Sequence, residues 1–468
     1  MSRLTEFKKY IKGKQSAVVG IGVSNTPLID FLLSCGAVVT ARDIKTREKL
    51  GELADTLEQK GVSLLLGDGY LENLTEDIIF KAPGIRGDLP QFATAVKRGA
   101  VLTSEMEVFF ELCPCKIFGI TGSDGKTTTT TLTYKMLELE AKKRGSSAKV
   151  WVGGNIGKPL LPEIDSFKAD DIAVVELSSF QLHMMKRSPF AAAITNVSPN
   201  HLNWHTDMEE YTVSKENIFK NPGNTRVVLN YGCELTREMA ALTNSEVTYF
   251  SGSLTPADGY ASVYERDGII VYREADGSVT EVLRQADIKI PGRHNVENYM
   301  TAIALTHGFV SREVICEIAR TFGGVEHRCE FVREADGVKY YNSSIDSSPT
   351  RTEAALRAFK EKVIVICGGY DKNIPYEPLA KPLCDCAKKV VLVGATAPKI
   401  KEALLAFPEY NGTPEIIEAD SFEAAVKAAR DAANAGDIVI LSPASASFDM
   451  FKNFEERGNY FKAIVHGF

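Results

Sequence analysis

Along its 468 residues the chain alternates short β-branched apolar runs with segments of helical pattern. Strands of that kind are buried on both faces, so they demand parallel sheets covered by helices. Three such units follow one another. The first reads as a strand at Ser16–Gly20, a helix at Thr26–Ser34 and a strand at Ala37–Ala41. The second opens with a strand at Lys116–Gly119 that enters a Gly-rich turn and then a Thr-rich helix. Further strands are expected there at Ile172–Val175, Ala191–Thr195 and Arg226–Leu229. The third begins near Glu330, with strands at Val363–Cys367, Val390–Val393 and Ile438–Leu441. The alternation breaks at Tyr260–Leu283, where Asp267-Gly268 and Asp276-Gly277 punctuate short runs and predict antiparallel hairpins. A length prior of about 150 residues per domain also predicts roughly three domains. Boundaries near Pro114 and Gly323-Gly324 divide the chain into 1–114, 115–323 and 324–468.

Charge narrows the function classes. Lys plus Arg is 54 and Asp plus Glu is 61, a net charge of −7, which gives no electrostatic footing for nucleic acid or for polybasic attachment to a membrane. The start, MSRLTEFKKYIKGKQ, has no apolar stretch long enough for a signal peptide, and no run reaches the ~18 apolar residues of a span. Nine scattered Cys favour reduced thiols in a cytoplasm. Cys113/Cys115 and Cys384/Cys386 lack the wider spacing and second half of a zinc site.

The strongest local signal is GITGSDGKTTTTTL, Gly119 to Leu132. A strand delivers Gly122-Ser123-Asp124-Gly125-Lys126-Thr127-Thr128 to the start of a helix. Successive backbone N–H groups in such a turn face a polyphosphate, Lys126 adds charge, and the Thr127 hydroxyl can ligate magnesium. A second Gly-rich turn, Gly20 to Asn25, lacks the third glycine of a dinucleotide fingerprint, while Asp43 ends the next strand where an acidic residue meets a ribose. The two turns imply two nucleotide-bearing ligands.

Further on, Glu176 closes an apolar strand, a place that serves magnesium in P-loop proteins. His201 and His205 lie four apart in NVSPNHLNWH, but Pro199 and the Asn residues predict a loop rather than a zinc-binding helix. The Leu441–Ser447 segment puts small polar residues after a strand, suited to close approach of a ligand. Most of the five Phe and Tyr residues in Phe448–Phe461 are expected in core or interface.

In this order, GSDGKTT, GGNIG, ELSSFQL, NVSPNHLNWH, PGRHNVEN, EHRCE, GGYDK and LSPASASFDMFKNFEERG resemble the Mur ligases, ATP-dependent amide-forming enzymes of peptidoglycan precursor synthesis. The Lys452–Gly458 ending resembles the D-glutamate-adding members; sibling ligases and folylpolyglutamate synthases share the ATP loop but not that ending. The resemblance implies an α/β fold with a Rossmann-like N-terminal domain for the UDP-substrate, a P-loop ATPase-like centre with an inserted hairpin region, and a Rossmann-like C-terminal domain. It implies ATP, two magnesium ions, UDP-N-acetylmuramoyl-L-alanine and D-glutamate, no nucleic-acid or membrane partner, and a cytoplasmic monomer.

Carried over residue by residue, the resemblance assigns Thr127, Glu176, His201 and Lys215 to the metal ions, with Lys215 carbamylated. Lys126, His201, Lys215 and Lys372 are the implied catalytic groups. ATP falls to Gly122, Ser123, Asp124, Gly125, Lys126, Thr127, Thr128, Asn295 and Arg328. The UDP-substrate falls to Ser24, Asn25, Asp43, Pro83, Gly84, Asn155, Ser178 and Gln181, and D-glutamate to Ser347, Lys372, Ser447 and Phe454. One segment departs from the family pattern: Ser343 stands where the family has an aspartate and Ile345 where it has a lysine, with Asp346 three positions beyond Ser343.

Overall fold

A computed structural model describes residues 2–468. They form two compact units, one running to Leu283 and including Glu297–Cys316, the other made of Arg284–Val296 and Glu317–Phe468. Two sheets belong to the first unit and one to the second.

The first sheet contains β1 (Gln15–Val19), β2 (Val38–Asp43), β3 (Ser63–Leu66), β4 (Ile78–Lys81) and β5 (Val101–Thr103). Their order is β3-β2-β1-β4-β5 and every pair is parallel. The order reverses between β1 and β4, so a crevice opens beyond their carboxyl ends, the usual ligand position in such sheets.

The second sheet contains β6 (Lys116–Thr121), β7 (Val150–Gly154), β8 (Ile172–Glu176), β9 (Ala191–Ile194), β10 (Arg226–Asn230), β11 (Glu246–Ser251), β12 (Ala261–Arg266), β13 (Ile269–Arg273) and β14 (Val279–Arg284). Their order is β14-β13-β12-β11-β10-β9-β6-β8-β7. The expected hairpin is present: β12 and β13 pair antiparallel about Asp267 and Gly268, both at positive φ, as a two-residue turn requires. It is no separate lobe, because β12 also pairs parallel with β11 and so extends the same sheet.

The third sheet contains β15 (Glu330–Ala335), β16 (Val338–Asn342), β17 (Val363–Cys367), β18 (Ala387–Leu392), β19 (Glu415–Glu418) and β20 (Ile438–Leu441), ordered β15-β16-β20-β17-β18-β19. Only the β15–β16 edge pair is antiparallel. All five residues of β17 are buried. Val363, Val365 and Cys367 enter the core on one face, Ile364 and Ile366 that on the other. Two-sided burial is what an unbroken apolar run implies, and truncating Ile364 or Ile366 to Ala costs about 2–5 kcal/mol.

Candidate functional site

The Gly-rich turn leaves β6 and ends at helix Lys126–Lys143, which starts after Gly125 at φ +77°. Two glycines there are steric necessities. A Cβ on Gly122 would lie 1.8 Å from Thr195 Oγ1, and one on Gly125 would lie 2.3 Å from Asn298 Oδ1. Asn196 and its neighbours hold the turn from outside. Ser123 N–H donates to the Asn196 carbonyl at 2.9 Å, Asp124 N–H to Asn196 Oδ1 at 2.9 Å, and Thr195 Oγ1 to the Asp124 carbonyl at 2.5 Å. Ser123 Oγ accepts from Ser198 N–H at 2.9 Å and meets the Tyr211 hydroxyl at 2.9 Å.

Lys126 curls back onto the turn, donating to the carbonyls of Gly122 (2.8 Å) and Ser123 (2.9 Å). Lys215, on helix Met208–Lys220, is 1% exposed and donates to the same Gly122 carbonyl at 2.9 Å. Burial, with the Lys126 charge adding to it, holds the Lys215 amine well below its ordinary value of 10.5. His201, at φ +55° in a loop, is lowered by burial and by the same two lysines, so its ring stays neutral with a lone pair to offer. His205 does not join it as a ligand pair. It is 2% exposed, with Nε2 2.9 Å from Ser179 Oγ.

Glu176 ends β8 beside β6 and is 1% exposed. Its Oε1 accepts from Asn155 Nδ2 at 2.8 Å, whereas Oε2 has no partner among the described residues. A buried carboxylate oxygen left open is costly unless something positive meets it. Among the described residues no three His, Cys, Asp or Glu side chains cluster as a metal site. The orphan oxygen of Glu176 fits magnesium nonetheless, since that ion takes few protein ligands and completes its shell with water and phosphate.

In the N-terminal crevice, the Asp43 carboxylate accepts from Ile21 N–H at 2.5 Å and Lys45 N–H at 2.8 Å, and so braces the first Gly-rich turn. Asn25, fully buried, donates from Nδ2 to the carbonyls of Val19 (3.2 Å) and Gly20 (2.8 Å). Ser178 and Gln181 form a capping box on helix Ser179–Leu182. Ser24, Asn25, Pro83 and Gln181 line one pocket, while Gly84 offers its carbonyl to Trp204 Nε1 at 2.8 Å.

In the second unit, Lys372 and Arg328 are exposed, Ser347 and Phe454 are half-buried, and Ser447 and Asn295 are buried. Arg457, fully buried, holds this region together. Its guanidinium donates to Ser344 Oγ (3.0 Å) and to the carbonyls of Ser344 (2.8 Å), Ser445 (3.1 Å) and Ala446 (2.9 Å). It therefore ties the Asn342–Ser347 loop to the Ser442–Ser447 loop. The aromatic segment only partly meets its expectation: Phe461 is fully buried, Phe451 and Phe454 are half-covered, and Phe448 and Tyr460 are exposed.

Sequence spacing gives Arg457, Tyr211, Thr195, Lys81 and Arg86 no site role. Arg457 alone had a signal, its place in the FKNFEERG ending. The others act through contacts between distant segments.

Comparison with known proteins fits this geometry. Residues 120–306 match the Mur ligase middle domain, and residues 327–445 the Mur ligase, glutamate ligase domain. The UDP-N-acetylmuramoylalanine–D-glutamate ligase of Acetivibrio thermocellus is 51% identical over 470 residues, 99% of each chain. That of Clostridium kluyveri is 52% identical over 466 residues, 98% of each. Among solved structures, the UDP-N-acetylmuramate-alanine ligase of Thermotoga maritima superposes with a TM-score of 0.57 at 19% identity, over 97% of this chain and 99% of that one. A pseudomurein peptide ligase type C from Methanothermus fervidus gives 0.51 at 18%, over 97% and 100%. These two establish likeness of fold.

Proposed function

The chain belongs to the Mur ligase family of ATP-dependent amide ligases, and we propose that its site residues act as follows in adding D-glutamate to UDP-N-acetylmuramoyl-L-alanine. The reaction activates a carboxylate, a poor electrophile with a poor leaving group, by making it an acyl phosphate. The D-glutamate amine then attacks the carbonyl and phosphate leaves, giving an amide, ADP and phosphate.

The observation that carries the reading is the Gly122 turn, with Lys126 and Lys215 on one carbonyl and an unpaired oxygen of Glu176 on the next strand. Backbone N–H groups of residues 122–128 cradle the ATP phosphates, with Asn295 and Arg328 as further ATP contacts. Lys126 stabilises charge that builds on the transferred phosphoryl oxygens. Thr127, Glu176, His201 and Lys215 would hold magnesium, which when bound screens phosphate charge and orients the attacking carboxylate. Lys215 serves as a carbamate: its neutral amine attacks carbon dioxide, an N–C bond forms and the amine proton leaves to solvent. A cation is thereby replaced by an anionic oxygen ligand beside Lys126.

On the same reading, residues 1–114 hold the UDP-substrate through Ser24, Asn25, Asp43, Pro83 and Gly84, joined by Asn155, Ser178 and Gln181. Residues 115–323 hold ATP, and residues 324–468 bring D-glutamate through Ser347, Lys372, Ser447 and Phe454. No helix among the described residues is long and apolar enough to cross a membrane. We place the reaction in the cytoplasm with the enzyme as a monomer, which light scattering checks.

Phosphate release tests the assignment. It should require UDP-N-acetylmuramoyl-L-alanine and D-glutamate together. Equal release with L-lysine or meso-diaminopimelate in place of D-glutamate would overturn it.

A further inference from the structure

The crevice beyond β1 and β4 leads into a pocket, and two polar atoms of residues on its wall lack partners among the described residues. The first is Asn25 Oδ1, left open because Nδ2 makes both of that side chain's hydrogen bonds. The second is the amine of Lys81, the last residue of β4. Lys81 is 4% exposed and makes no hydrogen bond or ion pair with any described residue. An acceptor sealed from water and a donor that keeps some access to it are both unsatisfied, and the residues that carry them line one cavity.

An amine in that position is poorly explained by packing. Burial pushes it down to about 8, and the Glu107 and Asp88 charges oppose that shift without bonding to it. Of the nearby acids, Glu105 already accepts Leu161 N–H at 3.1 Å, and burial pushes it up to about 7. Helices Asn25–Ser34 and Glu105–Leu112 both begin at the pocket wall and add partial positive charge. An unpaired buried cation is costly, and a ligand anion is the group that relieves it.

We propose that Lys81 is a binding residue for the UDP-linked substrate, its amine receiving a phosphate of the diphosphate while Asn25 Oδ1 accepts a hydroxyl or N–H of the same molecule. Nothing in the family resemblance pointed to Lys81. The inference rests on the reading that the substrate carries UDP.

The test uses the full chain with Lys81→Met and Lys81→Arg. Titration calorimetry follows UDP and UDP-N-acetylmuramoyl-L-alanine, and ligand-observed NMR follows uridine. Loss of one charge-assisted bond predicts about ten- to hundredfold weaker UDP binding for Lys81→Met, with uridine held within about twofold and substantial recovery in Lys81→Arg. Thermal melting no lower than wild type shows that the fold is intact, since Met fills the same volume without a charge. Unchanged UDP affinity overturns the proposal, as does an equal fall for uridine and UDP, which would make Lys81 a reader of the base. A loss confined to UDP-N-acetylmuramoyl-L-alanine assigns Lys81 to the alanyl carboxylate and also overturns it, and so does a wild type that binds no UDP. If UDP binding depends on Lys81 but D-glutamate drives no phosphate release, the ligase reading falls and this one stands.

Discussion

Lys126 and Lys215 donate to one acceptor, the carbonyl oxygen of Gly122, at 2.8 and 2.9 Å. Two ammonium groups on a single carbonyl repel, so one of them is driven to give up its proton. Burial decides which. Lys215 is 1% exposed whereas Lys126 is half-buried, and it is the Lys215 amine that lies far below 10.5. Burial and the neighbouring Lys126 charge thus both push this amine toward its neutral, nucleophilic form.

Lys215→Met should stabilise the protein while stopping the reaction. Because the folded value lies below the unfolded 10.5, the unfolded chain binds more protons between the two. Wild-type stability therefore rises with pH through that window, and the amine is a burden below it. In buffer free of carbon dioxide, where the amine is not carbamylated, its removal should gain on the order of 1–3 kcal/mol at pH 7, read by urea denaturation, with the gain shrinking as pH approaches 10.5. Turnover should fall by about two orders of magnitude or more. Carbon-13 NMR under labelled carbon dioxide should show a carbamate signal in wild type and none in the variant. A variant that keeps turnover sinks the role given to Lys215.

Arg86 latches the Pro83-Gly84 turn to the loop that carries His201. It donates to both oxygens of Glu210 (2.7 and 3.1 Å), both of Asp88 (2.6 and 2.9 Å) and the Trp204 carbonyl (2.8 Å). Arg86→Ala should cost about 1–3 kcal/mol and raise KM for the UDP-substrate more than it lowers kcat. Lys in its place should recover little, because a point charge cannot make both forks. The Arg86 guanidinium holds Glu210 and Asp88 below the carboxylate range. Folded values below unfolded ones mean that the stabilisation is full above about pH 4.5 and is lost as pH falls through the folded values. The difference between wild type and Arg86→Ala should therefore be largest near pH 7 and shrink below pH 4.

Gly125→Ala should weaken ATP binding by roughly tenfold or more. The new Cβ would sit 2.3 Å from Asn298 Oδ1, at a φ of +77° that Ala resists. Gly145→Ala is the control, being at φ +64° with nothing within 4 Å of its Cβ. It carries the same backbone strain without the clash. Equal ATP affinity for the two variants would remove the steric argument.

The β-rich frame was legible because buried parallel strands write themselves as apolar runs. Val363–Cys367 and Ile438–Leu441 come out with the expected ends. Strand ends drifted where polar residues carry the ladder on, as at β2, expected over Ala37–Ala41 and running through Arg42 to Asp43. The Gly122–Lys126 turn was legible because glycine and lysine spacing encodes it locally. Glu176 was legible as a carboxylate closing an apolar strand, whereas Lys215 was assigned only by resemblance, since its chemistry arises from segments far apart in sequence. The Lys81 pocket and the Arg86 latch were not legible at all. Each depends on which strand ends meet across a sheet, and no spacing in the chain records that.

Asp346 gives the last test, in the loop where Ser343 departs from the family. Ser343 Oγ accepts Cys329 N–H at 3.1 Å, and Asp346 turns inward to accept Ser442 Oγ at 2.8 Å. Burial pushes the Asp346 carboxyl up to about 6, against the pull of its Ser343 and Ser442 hydrogen bonds and of Arg328 and Arg351. A folded value above the unfolded 3.8 gives stability that is full below pH 3.8 and falls as pH rises through 6, because the unfolded chain ionises first. Asp346→Asn keeps an acceptor for Ser442 and removes the ionisation. It should be more stable than wild type by on the order of 1–3 kcal/mol at pH 8 and nearly equal to it at pH 4, read by urea denaturation. A variant destabilised at pH 8 would mean that the ionised carboxylate is needed in place, most simply by the Arg457 guanidinium, whose pKa it helps to hold up.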